Sequence, residues 1–452
     1  MTRAIPGAVL LGILAGCASP DRDRGFDDVR KLVEDRIGVA PSDPAELDAD
    51  DVAARVREWL REPLTADVAV HIALVNDARL LARIEDLGVA RAEVIRAGVP
   101  RNPTIEAEIR FPDTPFEIDV MQSIVDLLRI PGRTRIAKAQ LEATKHAVAG
   151  AILDAASGAR AAFYRCQAAE QAFEMRRTIA RATLGSLSVA RERRKAGNAT
   201  DLELASEQAL HEQAKLELAL ADAERAELRE SLNRALGLFG ANLTWTVEPR
   251  LPDLPAGEIA LDGLESLAIA RRPDLEAARD GVSASLAALG YTRDFQLLPD
   301  GALVAHVEKE PGGETTAGPG IQVELPLFDR GQATITEADS HLRRARLELE
   351  ALAVEIRAEV RSAWARASAA SLRARRQRDV LVPLRARIVE QTQLQQNAMQ
   401  IGVAVLLQAK QSEIDAGRAY VEALRDYWIA RSELERAVGG RIPETTTSRP
   451  RP

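Results

Sequence analysis

Carboxylates recur at every second position in a few short segments of this chain. Glu106 and Glu108 alternate with Ile105, Ala107, Ile109 and Phe111, and Glu117 and Asp119 alternate with Phe116, Ile118 and Val120. Far downstream the pattern returns. His306 and Glu308 stand among Leu303, Ala305 and Val307, and Gln322 and Glu324 among Ile321, Val323, Leu325 and Leu327. Successive side chains of a strand point to opposite faces, so this period gives strands with one apolar and one charged face. Acids on a common face attract cations. No nucleophile-and-base constellation accompanies them. The chain has no Gly-rich phosphate loop with a following lysine, no His-Glu-x-x-His and no Gly-x-Ser-x-Gly. No enzyme activity and no cofactor are expected. His71, His146, His211, His306 and His341 show no metal-ligand spacing, and each is read as an isolated side chain with no metal. Net charge is −8, without a basic stripe carrying aromatics, so no nucleic-acid partner is expected.

The elements that must hold these acids are legible from proline. Pro100, Pro103, Pro112, Pro115 and Pro131 cluster, and no proline follows until Pro249. Pro299, Pro311, Pro319 and Pro326 cluster again, with only Pro383 before Pro443. Proline breaks helix interiors, so extended segments alternate with long helical ones, and the unit occurs twice. The first repeat spans 62–240, with strands 104–111 and 116–123 and a helical hairpin 133–237. The second spans 263–440, with strands 301–309 and 320–328 and a hairpin 332–439. An inter-repeat segment occupies 241–262, and the tail 441–452 has disordered composition. Gly197-Asn198 and Gly402 mark the hairpin turns, each with a long arm before it and a shorter one after. Leu342, Ala345, Leu349, Leu352, Ile356 and Val360 form a narrow apolar seam of coiled-coil type. Aromatics are only 4% of the chain, too few for several conventional cores. The expected class is mainly α with a small β portion.

The N-terminus reads as a targeting segment. Arg3 precedes the short apolar run Ala8–Leu14, so 1–16 is expected to be a removed signal peptide. Leu14-Ala15-Gly16-Cys17 resembles a bacterial lipobox, which implies a lipid-modified Cys17 at the head of a tether, 17–61. Cys166, the other cysteine, has no partner for a disulfide and is expected to be a small buried apolar residue.

Four stretches together resemble the TolC family of outer-membrane efflux channels. They are Pro63-Leu64-Thr65 through Asn102-Pro103; Arg272-Pro273-Asp274-Leu275-Glu276-Ala277-Ala278-Arg279; Gly318-Pro319-Gly320-Ile321 through Leu325-Pro326-Leu327-Phe328-Asp329-Arg330-Gly331; and Tyr427-Trp428 with Ala430-Arg431, ending at Val438-Gly439-Gly440. The resemblance implies a homotrimer with a 12-stranded β-barrel continuing into an α-helical barrel. It also implies an outer-membrane location reaching into the periplasm, a periplasmic adaptor (membrane fusion protein), and an inner-membrane pump of the RND type. Membrane physics agrees that four strands cannot close a barrel alone, and an open edge cannot sit in lipid. On this reading Glu106, Glu108, Glu117, Asp119, Glu308 and Glu324 line the pore as acidic rings; the alternative is that they only solvate the wet side of a sheet. Arg194, Gly197, Asn198, Gly402 and Val403 are candidate adaptor contacts, although the glycines are also explained by positive-φ turns. The second tip has no acid before Glu413 and the first has only Asp201 nearby, which makes closure by an acidic ring doubtful. A lipidated adaptor or a coiled-coil scaffold without transport is the competing reading; adaptors carry one hairpin, and this chain has two.

Overall fold

A computed structural model describes residues 25–442, except positions 45, 47, 112, 113, 258, 297 and 299. The signal segment, Cys17 and nearly all of the tail lie outside the described residues. The chain is mostly helical, with one small sheet. In order it forms α1 (Phe26–Ile37), α2 (Ala49–Trp59), α3 (Ala66–Asn76), α4 (Ala78–Ile84), α5 (Asp86–Gly98), β1 (Thr104–Ile109), β2 (Phe116–Ser123), α6 (Val125–Lys195) and α7 (Asp201–Ala235). There follow α8 (Leu264–Arg271), α9 (Pro273–Phe295), β3 (Gly301–Lys309), β4 (Thr315–Val323), α10 (Gln332–Arg376), α11 (Val382–Asn397) and α12 (Val403–Val438).

Two compact units emerge. One contains 85–146 and 276–349 with the start of α1; the other contains 30–84, 147–275 and the chain from 350 onward. The sheet belongs to the first. Its order is β1-β2-β3-β4 and every pair is antiparallel. The central ladder pairs β2 of the first repeat with β3 of the second, so neither repeat makes the sheet by itself.

The first strand ends at Ile109, not 111. Two further boundaries and one helix interior differ from the sequence reading, each at a proline. The fourth strand is Thr315–Val323, not 320–328. It contains Pro319, which it tolerates because β4 is an edge strand, where a missing N–H need cost no ladder bond. The first hairpin helix starts at Val125 and carries Pro131 within it, instead of starting at 133. In the second hairpin, Pro383 cannot donate to a carbonyl one turn back. The helix answers with a π turn at Gln377–Leu381 before α11.

Two further differences lie near the N-terminus. Within the stretch read as tether, α1 buries Phe26, Val29, Val33 and Ile37, a spacing that makes one apolar stripe in a heavily charged helix. The proline-free run after Pro63, with Thr65 as N-cap, predicts a single helix to about Ala97; the structure has three, α3 to α5. Thr65 does cap α3, its hydroxyl accepting from the Val68 N–H.

The long-then-short asymmetry of the hairpins holds: α6 has 71 residues and α7 35. In the seam of α10, Leu342, Ile356 and Val360 are buried and Ala345, Leu349 and Leu352 partly so. In the second unit the inter-repeat segment is a strap whose carbonyls are met by helix side chains. Gln167 donates to the carbonyls of Glu248 and Arg250, Trp364 to that of Ile259, Trp428 to that of Pro252, and Arg375 to those of Pro255, Ala256 and Gly257. Strand-free backbone stays satisfied this way.

Candidate functional site

The register of the sheet decides which acids share a face. Glu106 lies opposite Asp119, Glu108 opposite Glu117, Glu117 opposite Glu308, and Asp119 opposite His306. Directly opposed residues point the same way. Five of the six candidate acids therefore stand together on one face, with Arg110 and His306 among them. Ile105, Ile109, Val120, Leu303 and Ile321 stand on the other face, exposed to between 36% and 77%. Glu324, the sixth, lies just beyond β4 and is exposed; its N–H donates to the Asp300 carbonyl at 3.0 Å.

The charged face is knit locally. Arg110 donates to both oxygens of Glu108, at 2.9 and 3.1 Å, and lies 3.6 Å from Glu117. His306 is not isolated, contrary to the sequence reading. Its Nδ1 is 2.8 Å from Asp119 and 3.9 Å from Glu117, and its Nε2 is 3.5 Å from Glu308. Spacing along the chain hid this because the ligands come from two strands, 187 positions apart for His306 and Asp119. Other histidines also have partners: His146 meets Asp280 at 2.8 Å, and His211 meets Thr183 at 3.1 Å.

Where the strands pass into helix, a buried carboxylate holds the corner. Asp126 accepts from the Arg101 N–H at 3.0 Å and from Arg133 at 2.7 Å. Burial pushes its pKa up, but these donors outweigh burial and hold the carboxyl below its ordinary range. Arg129 pairs with Asp300 beside the start of β3.

The two hairpin tips differ. At the first, Gly197 has φ +76° and lets the Asn198 N–H reach the Arg193 carbonyl at 2.8 Å. Thr200 and Glu203 then form a reciprocal capping box, and Arg194 pairs with Asp201 at 2.7 Å. At the second tip Gly402 has φ −77° and caps α12 without a side-chain bond; the positive φ falls on Met399, at 57°. The positive-φ explanation thus holds for Gly197 and fails for Gly402. Met399 is 93% exposed.

Residues 116–238, from the first residue of β2 to just past α7, match the outer membrane efflux protein family. The fold likeness extends further. A membrane protein from Pseudomonas aeruginosa shares 21% identity at a TM-score of 0.72, covering 83% of this chain and 92% of that one. The outer membrane channel CmeC of Campylobacter jejuni shares 16% at 0.71, covering 83% and 85%. The outer membrane protein VceC of Vibrio cholerae shares 17% at 0.65, covering 86% and 96%. At such identities the likeness is one of fold. No curated protein matches the sequence significantly.

The second unit also shows how each hairpin is closed. In the first repeat Asn76 donates to the carbonyls of Leu236 and Gly237, at 2.8 and 2.9 Å, just past the end of α7. In the second repeat the place of Asn76 at the helix end is taken by Arg271, and it is the next residue, Arg272, that donates to the Ala437 carbonyl at 3.3 Å, near the end of α12. Arg272 also binds Asp274 and Glu359, and Glu359 binds Arg436. Burial pushes Glu359 up, and the two arginines more than reverse it. Cys166 is fully buried, and burial pushes its thiol up to about 12, so it is inert as a nucleophile.

Proposed function

We propose that this chain is the outer-membrane channel subunit of an efflux system, a passive homotrimeric conduit lipid-anchored through Cys17. The observation that carries the reading is the sheet: four antiparallel strands, apolar and exposed on one face, acidic on the other, with edges β1 and β4 unpaired among the described residues. Backbone groups cannot stay unpaired in hydrocarbon. A bilayer-exposed sheet of this size must join its edges to those of other copies, and three copies give the twelve strands of a closed barrel. The apolar face then meets lipid. Glu106, Glu108, Glu117, Asp119 and Glu308 line the pore, with Glu324 at its rim, and favour cations.

The helices support association as well. Leu202, Leu216 and Leu220 on α7, and Leu347 and Val354 on α10, are large apolar side chains more than half exposed. Their burial between copies supports a helical barrel. Substrates would be delivered by an inner-membrane pump of the RND type through a periplasmic adaptor. The adaptor meets the tips at Arg194, Gly197, Asn198, Gly402 and Val403. Asp201 is tied to Arg194, which leaves no free carboxylate at the first tip for an acidic gate.

Two measurements test this. The detergent-extracted protein, fractionated from outer membranes, should run as a trimer and conduct cations over anions in planar bilayers. Neutralising Glu106, Glu108 and Glu117 to glutamine should reduce that preference. A monomer released without detergent would sink the channel, and anion preference would sink the pore lining alone. Crosslinks from cysteines at Ala199 and Ala404 should capture the adaptor, and failure of both would remove the tip assignment.

A further inference from the structure

The charged face holds carboxylates in an order that a sheet alone would avoid. Across β1, β2 and β3, Glu108, Glu117 and Glu308 stand directly opposite one another, and Glu106 stands opposite Asp119. Like charges directly opposed destabilise a sheet. Arg110 answers two of these acids, lying on Glu108 and near Glu117. The remaining negative charge converges on His306.

There the geometry is that of a ligand set. One oxygen each from Glu117 and Asp119 and a ring nitrogen of His306 all lie within 4.8 Å of one another. Glu117 and Asp119 sit two apart on β2 and point the same way, and His306 faces them from β3. A tetrahedral zinc ion with bonds of about 2.0–2.2 Å separates its ligands by roughly 3.4 Å. The two distances from His306 Nδ1, 2.8 and 3.9 Å, bracket that value. The other ring nitrogen, Nε2, faces Glu308 at 3.5 Å. A carboxylate behind the ring fixes its tautomer and orients it in many metal sites.

We propose that Glu117, Asp119 and His306, with Glu308 behind the ring, bind a divalent transition-metal cation on the charged face of the sheet. An imidazole with two carboxylates favours zinc or copper over magnesium. The fourth position is open to water, and all three ligands are only partly buried. The site is therefore built for exchange, not for holding a permanent structural ion. All its ligands come from one chain, so it rests on the sheet and not on the channel reading.

Equilibrium dialysis of zinc against the full chain in detergent, without a histidine tag, tests it. The expected result is one zinc per chain that magnesium at equal concentration does not displace. His306→Gln should weaken binding at least about tenfold, because loss of even an outer-shell partner costs that much. That substitution leaves the carboxylate charge intact, so the loss reports coordination rather than attraction. Asp119→Asn should act alike, and Glu106→Gln, outside the ligand set, should bind zinc as the parent does. Unchanged zinc binding in both His306→Gln and Asp119→Asn, or ready displacement by magnesium, would overturn the site. Because stoichiometry is read per chain, a protein that binds zinc yet never conducts refutes the channel and leaves the site standing.

Discussion

The two repeats close their hairpins at the same point with different chemistry. In the first, a short neutral amide reaches the carbonyls at the end of α7, and the backbones must come close for it to do so. A β-carbon on Gly237, at φ +65°, would run into the carbonyl oxygen of Asn76. In the second, the residue after the helix end, Arg272, reaches a carbonyl of α12 and brings an ion-pair network with it. Gly439, at φ +85°, would place a β-carbon 3.1 Å from the Arg271 carbonyl carbon, a looser fit than at Gly237. The duplicated geometry survives while its dependence shifts from close packing to charge.

The largest test of that contrast is Arg272→Ala. Arg272 is only 9% exposed, and its removal strands Asp274 and leaves Glu359 with Arg436 alone. Breaking a buried pair costs roughly 3–5 kcal/mol, whereas Asn76→Ala should cost about 1–2 kcal/mol, the price of stranded carbonyls. Urea midpoints of the detergent-solubilised protein would read both. Equal losses would erase the distinction.

Glycine should show the reverse order. Gly237→Ala combines a left-handed penalty of about 1–2 kcal/mol with a backbone collision and should cost roughly 3 kcal/mol in all. Gly439→Ala should cost about the left-handed penalty alone. If Gly439→Ala proves the worse, the second closure is the tighter one and the contrast in packing fails.

Acid separates the closures without mutation. Glu359 titrates below its ordinary value of 4.5 in the folded chain, because Arg272 and Arg436 outweigh burial. A depressed folded pKa gives stability that is fully present above the unfolded value and lost as pH falls through the folded one. The second closure should therefore loosen below about pH 4.5. The first, an amide on two carbonyls, has no titrating member in those bonds. Amide exchange near Gly439 should accelerate in acid before exchange near Gly237 does.

Much of this architecture was legible in the sequence because it rests on local signals. Period-two alternation placed β1, β2 and β3, and Thr65 marked the start of α3 through its hydroxyl. The failures were non-local. Pro319 argues against a strand unless β4 is known to be an edge, and an edge is a property of the sheet. His306 looked isolated because Asp119 and Glu117, the partners of its Nδ1, stand on a strand from the other repeat. Alternation put six acids on the polar faces of their strands, and five of them prove to share one face of the sheet. Their opposition across strands, which sets the local electrostatics, needed the register.

The smallest predicted difference lies at the tips. Thr200 accepts from the Glu203 N–H at 3.2 Å while its own N–H donates to the Glu203 carboxylate at 2.7 Å. Losing that cap in Thr200→Ala should cost about 1 kcal/mol locally, read as faster exchange of the first amides of α7. Gly402 caps α12 with no side chain, at a backbone conformation any residue can adopt, and a β-carbon there meets nothing within 4 Å. Gly402→Asp should therefore slow exchange at the start of α12, gaining only a few tenths of a kcal/mol. A loss instead would mean that Gly402 is glycine for a reason outside the turn, which is the outcome expected if a partner's backbone packs directly against it.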